Sequence, residues 1–363
     1  MDDSSNLTMK TAVITGVAGQ DGAYLTRMLL DKGYQVHGTV RPGGSTDLWR
    51  LDSLGVRNHP HLHLLQHDLC SLVDSLALMD RLQPQEVYHL AAQSSVARSF
   101  EEPHATVNGI QQGTLNLLEA IRKVTPTTRF FEAGTSEIFS TKHSALCTEL
   151  TAFHPRNPYA LAKLSTYWAT VNYRESFNVF GSVGILFNHE SPLRDPRFVT
   201  RKITSSAARI ALGEASVLEL GNLAARRDWG YAGDYVEGIW RILQADQPDD
   251  FVLATQRSAS VRDFVRLAFA GAGIGLAFQG QAEHEVAVVT DIVDGVADQV
   301  PCLKLGQVVV RVNPDFYRPI ETGPSIGDPS KARLALGWQV STSLEELCKL
   351  MVSADIARVK SGG

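Results

Sequence analysis

Apolar positions arrive in two rhythms along this chain. Short β-rich apolar runs occupy Thr11–Thr15, Gln35–Val40, Leu62–Gln66, 86–90, Arg129–Ala133 and 181–187. Between them lie longer stretches in which apolar residues recur every three or four positions: 23–32, 71–82, 106–124 and 158–176. The first rhythm predicts strands and the second amphipathic helices. Gly33 stands just past the first helix, where a left-handed residue ends a helical run. Strands separated by helical crossovers pair in parallel, so the expected fold class is α/β, a doubly wound parallel sheet of the Rossmann type.

After Asn188 the alternation loosens and Pro, Gly and Arg become frequent in 191–197, 221–229 and 316–329. These stretches are expected to be loops of a smaller C-terminal substrate-binding domain, with 1–187 binding a dinucleotide. A helix over 233–244 and a strand over 251–254 are expected to return 230–256 to the first domain, which interleaves it with 188–363. The segment 279–304 shows no clear period and is expected to be mobile or inserted. There is no internal repeat.

Composition narrows the function classes. Of 363 residues, 44% are hydrophobic and 20% charged, as in an ordinary globular protein. A net charge of −5 gives no bulk attraction for nucleic acid or an anionic membrane. Cys70, Cys147, Cys302 and Cys348 are far apart and lack metal-ligand spacing, so they are read as reduced thiols with no metal site. The first ten residues are polar and no run of apolar residues is long enough to span a bilayer, so a cytoplasmic protein is expected.

Gly16, Gly19 and Gly22 lie between the first strand and the first helix. Glycine there lets backbone approach a pyrophosphate, and the helix N-terminus offers free N–H groups and partial positive charge. The second strand ends Thr39-Val40-Arg41 without the acid that would hold a ribose 2′-hydroxyl. Arg41 therefore points to NADP through pairing with a 2′-phosphate, unless it is an ordinary surface arginine. Asp68, after the third strand, either meets the adenine amino group or caps its loop.

Tyr159 and Lys163 are four apart on one helical face. A phenol is a poor base at neutral pH, and a nearby ammonium favours the phenolate. Tyr159 is thus a candidate to take a proton from a sugar hydroxyl. The fifth strand runs into Thr135-Ser136-Glu137, where ligands of open α/β sheets bind. A hydroxyl there suits an oxidation at C4. The carboxylate adds a base for the C5 proton and a route to loss of the C6 hydroxyl, unless Glu137 merely caps the next segment.

The run Pro155-Arg156-Asn157-Pro158-Tyr159-Ala160-Leu161-Ala162-Lys163, with Val171–Ser176, Gly184–Pro192, Phe198–Thr204, Leu220-Gly221-Asn222, Arg227-Asp228-Trp229-Gly230 and Phe316-Tyr317-Arg318-Pro319, resembles the GDP-mannose 4,6-dehydratase family of extended short-chain dehydrogenases over nearly the whole chain. The resemblance implies a hydro-lyase that turns a GDP-hexose into its 4-keto-6-deoxy product. It implies Thr135, Ser136, Glu137, Tyr159 and Lys163 as catalytic residues. It implies a cofactor site of Gly16, Gly19, Gln20, Asp21, Gly22, Arg41, Asp68, Leu69, Leu90, Ala91, Ala92, His189 and Arg194, together with Tyr159 and Lys163. For the GDP-sugar it implies Ser94, Glu137, Asn188, Val199, Lys202, Leu220, Gly221, Arg227, Arg318 and Glu321, with Arg194 also near the diphosphate.

Three runs depart from the family. Arg41-Pro42-Gly43-Gly44-Ser45 lacks paired arginines, which leaves NAD open beside NADP and a homodimer beside a homotetramer. Glu132-Ala133-Gly134 stands where Gln-Ala-Ser is common, and Ala224-Ala225-Arg226 where an Asp-Ala-Lys type run is usual. A GDP-heptose therefore stays open as a substrate, and a GDP-sugar 4-reductase or epimerase, or a non-catalytic dinucleotide sensor, as alternative functions. An intact Tyr159, Lys163 and Glu137 favours dehydration.

Overall fold

The computed structural model describes residues 9–43, 47–139, 146–293, 303–316 and 326–362. The first half runs β1 (Thr11–Thr15), α1 (Gln20–Asp31), β2 (Gln35–Val40), α2 (Trp49–Ser53), β3 (Leu62–Gln66), α3 (Leu72–Leu82), β4 (Glu86–His89), α4 (Val96–Glu101), α5 (Pro103–Val124), β5 (Arg129–Ala133), β6 (Leu146–Cys147), α6 (Pro158–Phe177) and β7 (Gly181–Leu186). The second half runs β8 (Asn188–Glu190), α7 (Val199–Ala211), β9 (Leu218–Leu220), β10 (Arg226–Arg227), β11 (Trp229–Tyr231), α8 (Ala232–Gln244), β12 (Asp250–Leu253), β13 (Ala259–Ser260), α9 (Val261–Gly271), β14 (Ile274–Gln279), β15 (Val286–Ile292), β16 (Val308–Val312), β17 (Ile326–Gly327), α10 (Ser330–Leu336) and α11 (Leu344–Lys360).

Seven parallel strands form the central sheet in the order β12-β7-β5-β4-β1-β2-β3. Its inner strands are apolar on both faces because helices cover both. On one face α1 packs on α8 around Leu25, Leu29, Ile239 and Trp338. On the other, α3, α5 and α6 cover Val13, Val87 and Phe130. The chain leaves β1 towards β2 and β3, then crosses back to β4 and β5. The strand order thus reverses between β1 and β4, and a cleft opens at their carboxyl ends, the usual ligand position in such sheets.

The C-terminal part is more regular than the sequence pattern suggests. A second sheet, β14-β15-β16-β9, packs with α7, α9 and α11 around Phe264, Phe269, Val310 and Met351. The reading of 279–304 as mobile or inserted is corrected over 279–293 (294–302 lie outside the described residues), because β15 within it pairs with both β14 and β16. Its register shifts on both sides, and its last three residues are not buried, which blurs the period-two signal. The stretch 221–229 likewise holds β10 and the start of β11 rather than only loop. The first helix begins at Gln20, three residues earlier than its apolar spacing indicates. No helix among the described residues is long and apolar enough to cross a membrane.

Candidate active site

The glycine loop sets the floor of the site. A Cβ on Gly16 would stand 2.9 Å from Ala91 backbone, and one on Gly22 2.3 Å from the Gly16 carbonyl oxygen. Both positions therefore require glycine, and Gly16 also has φ +75°. Gly19, the N-cap of α1, borders the cleft and offers no side-chain cap, so the first-turn N–H groups are left without a capping side chain. Gly16, Gly19, Arg41, Asp68, Leu69, Leu90, Ala91 and Ala92 line a cleft of about 460 Å³. Asp68 does cap its loop, accepting from the Cys70 backbone N–H at 2.9 Å, while facing this cleft.

Arg41, Leu90 and Ala92 also border an adjoining cleft of about 710 Å³. Its walls carry Asp21, Ser94, Thr135, Ser136, Glu137, Tyr159, Lys163, Asn188, His189, Arg194 and Val199. A shape of two joined hollows above a glycine turn and a helix N-terminus fits a dinucleotide with a second nucleotide sugar beside it.

Thr135, at the end of β5, accepts a hydrogen bond from the Glu137 backbone N–H at 3.3 Å, which starts a single tight helical turn over Ser136–Ile138. Tyr159 and Lys163 rise from the first turns of α6, one residue and five residues past Pro158, and both are buried. Burial pushes the Tyr159 phenol up; the Lys163 ammonium and a hydrogen bond with Thr135 act against it, and Glu137 adds to the rise. Lys163 Nζ donates to Glu132 Oε1 at 2.9 Å, and Thr166 and Thr114 donate to the same carboxylate at 2.8 and 3.2 Å. Burial works against the Glu132 charge, but Lys163, then His89, hold its carboxyl below the usual range. His89 itself is pushed down to about 4, chiefly by burial, and its Nδ1 meets Thr15 Oγ1 at 2.7 Å.

A second buried network joins the glycine loop to β8. Gln20 donates to the His189 carbonyl at 3.0 Å and accepts from Ser191 Oγ at 2.8 Å. His189 Nε2 pairs with Asp21 at 2.9 Å. Burial disfavours both charges, but each partner stabilises the other, so the His189 ring lies above and the Asp21 carboxyl below its usual range. Arg194 pairs with Glu190 at 3.0 Å and lies over the Phe198 ring at 3.6 Å.

A family model described as GDP-mannose 4,6 dehydratase matches residues 13–351. The chain belongs to the GDP-mannose 4,6-dehydratase family. It is 46% identical over 357 residues to a GDP-mannose 4,6-dehydratase of Yersinia enterocolitica, covering 97% of this chain and 95% of that one. Identity to the enzyme of the same name from Vibrio cholerae is 46% over 354 residues, covering 96% and 94%. The solved structure of dTDP-glucose 4,6-dehydratase from Bacillus anthracis has the same fold, with a TM-score of 0.76 at 15% identity over 97% of this chain and 98% of that one.

Not every residue carried over from the GDP-mannose 4,6-dehydratase pattern faces the cleft. Gln20 and Gly22 lie beneath it as supports. Lys202, Leu220, Gly221 and Arg227 do not line it among the described residues. Lys202 Nζ lies 4.6 Å from the Phe316 ring centre, and a Cβ on Gly221 would stand 2.3 Å from the Phe316 carbonyl oxygen. Leu220 is core, and its carbonyl accepts from the Asn313 N–H at 2.8 Å. Arg227 donates to the Arg226 carbonyl at 2.7 Å. Arg318 and Glu321 fall outside the described residues. Two residues of the site do not stand out in the sequence: Glu132 beneath Lys163, and Asn157 beside Glu137. Glu132 had a signal, since it departs from the family run, but its partner 31 positions on is not legible from that run.

Proposed function

We propose that the protein converts GDP-mannose to its 4-keto-6-deoxy product, with an NADP cofactor that ends as it began. The observation that carries this reading is the union of Tyr159, Thr135 and Glu137 in one cleft. A reductase or epimerase needs the first two; a dehydratase also needs the carboxylate. A dinucleotide held by Gly16, Gly19 and Arg41 would supply hydride transfer between sugar C4 and C6 and, in its oxidised form, positive charge that favours the Tyr159 phenolate.

Tyr159 takes the C4 hydroxyl proton while Thr135 orients that hydroxyl. Lys163, held by Glu132, keeps positive charge beside the phenolate and is placed to bond the nicotinamide ribose. The C4 carbonyl makes the C5 proton acidic, and Glu137 takes it. The C5–H electron pair becomes the C5=C6 double bond, the C6–O bond breaks, and the proton on Glu137 leaves with that oxygen as water. A solvent proton reaches C5 as C6 is reduced, so atoms and electrons balance. Asn188 and Arg194 of the cleft, with Arg318, are proposed to hold the nucleotide diphosphate, whose charge of about −2 suits bidentate arginine, and Glu321 to read a base or sugar edge.

Arg41 supports NADP over NAD, since it borders both hollows at the end of a strand that carries no acid. The division into a dinucleotide domain and a substrate domain meeting at the cleft follows the same reading. So does a homo-oligomer built on α5 and α6, which expose Leu115, Leu161 and Trp168. Cys70 and Cys348, thiols outside any disulfide among the described residues, suit the reducing cytoplasm.

The test is incubation of purified protein with GDP-mannose and catalytic NADP, followed by mass spectrometry. The expected product has lost one water, with no net NADPH, and NAD supports less turnover. An unchanged GDP-mannose mass would overturn the substrate assignment.

A further inference from the structure

Asn157 joins the two halves of the catalytic apparatus. It is the N-cap of α6, and its Oδ1 accepts the Ala160 backbone N–H at 2.7 Å. That bond fixes which end of the amide is oxygen, because only an acceptor can meet an N–H. The other end is therefore NH2, and it donates to Glu137 Oε2 at 3.1 Å. One side chain thus starts the helix that carries Tyr159 and Lys163 and also grips the carboxylate assigned to the C5 proton.

An amide NH2 can donate but cannot accept. A proton arriving on Glu137 cannot stay on Oε2 without facing this donor. We propose that Asn157 is a positioning residue that confines the Glu137 proton to Oε1, so that the oxygen which takes the C5 proton is the one that returns it to the departing C6 hydroxyl. This inference rests on the dehydratase reading above. In the elimination, the C5–H bond breaks and Oε1–H forms; then Oε1–H breaks as the C6 oxygen leaves as water. Asn157 makes and breaks no covalent bond in either step. Its role is to keep both transfers on one atom, so the proton need not migrate across the carboxylate between them.

The amide's two functions can be separated. Asn157→Asp keeps an oxygen for the Ala160 N–H, and Asp is as good an N-cap as Asn. It replaces the donor facing Glu137 by a second carboxylate oxygen. The variant is expected to melt at the wild-type temperature and to keep its KM for GDP-mannose. C4 oxidation is expected to continue while release of water falls about a hundredfold, the scale of a misplaced reacting group. Adding GDP-mannose should then leave reduced dinucleotide standing on the enzyme, visible in its near-ultraviolet absorbance, whereas the wild type drains it. Asn157→Gly, which also starts helices and brings no charge, carries the same expectation if Asn157→Asp fails to fold. Wild-type water release by a folded variant would overturn the proposal. So would a fall in C4 oxidation equal to the fall in elimination, since Asn157 would then act only through the helix. If the wild type itself releases no water from GDP-mannose, the functional reading falls first and takes this inference with it.

Discussion

Two residues of the cleft divide the reaction, and substitution should separate them. Tyr159→Phe removes the group that takes the C4 proton, so both oxidation and elimination should drop, by about a thousandfold. Glu137→Gln leaves Tyr159, Thr135 and Lys163 in place, so oxidation should persist while product disappears. Rapid-mixing absorbance of the reduced dinucleotide, paired with product mass, distinguishes the two. Product formation at the wild-type rate in Glu137→Gln would remove that residue from the elimination step. Thr135, Glu137, Tyr159 and Lys163 are legible in the sequence because short spacing on one strand end and one helix face brings them out. Asn157 is not, since its value lies in an amide that meets Glu137 twenty positions away. Neither is the pairing of Glu132 with Lys163, which requires β5 and α6 to lie side by side.

At the scale of elements, the β1–α1 turn is the most constrained segment. A Cβ on Gly22 would overlap the Gly16 carbonyl, the Val17 Cα and the Gly16 carbonyl carbon, at 2.3, 2.8 and 2.9 Å. All of these are backbone atoms and cannot swing aside. Gly22→Ala should therefore shift the start of α1, lower the melting temperature and weaken dinucleotide binding; equilibrium titration with NADP measures the last directly. Full affinity with normal stability would mean that the turn adapts. The spacing of the three glycines is enough to mark this turn in the chain. The start of α1 is harder to read, because Gln20, Asp21 and Gly22 carry no apolar rhythm, and the partners of Gln20 and Asp21 lie far along the chain at His189 and Ser191.

For the whole molecule, a buried charged network ties the loop that borders the cleft to the C-terminal helix. Arg201 of α7 pairs with Asp355 of α11 through Nε at 2.8 Å, and Thr204 and Arg358 bond the same carboxylate at 2.7 and 2.8 Å. The two arginines also donate to the Pro192 carbonyl at 3.0 and 2.6 Å, and Arg201 to that of Arg194 at 2.9 Å. The loop that carries Arg194 into the cleft thus hangs from a helix near the end of the chain. Asp355→Ala leaves Arg201 buried and uncompensated, a loss of about 3–5 kcal/mol. Denaturant melts should record that loss, and the KM for GDP-mannose should rise with little change in kcat. A stable variant with normal KM would show that the loop holds its position unaided.

By itself the sequence determined the parallel sheet, the glycine turn, the Tyr159–Lys163 face and the Thr135–Glu137 strand end, because each is written in local periodicity or in a spacing of a few residues. The tertiary structure alone decided how those pieces meet: that β4 returns beside β1 to open the cleft, that β15 completes a second sheet, and that Asp355 anchors the Arg194 loop. It also decided which predicted binders reach the main cleft and which gather around Phe316 instead. The physical reason is that a buried carboxylate or amide is satisfied by whichever donor packing brings within about 3 Å, and such partners carry no periodic signal along the chain.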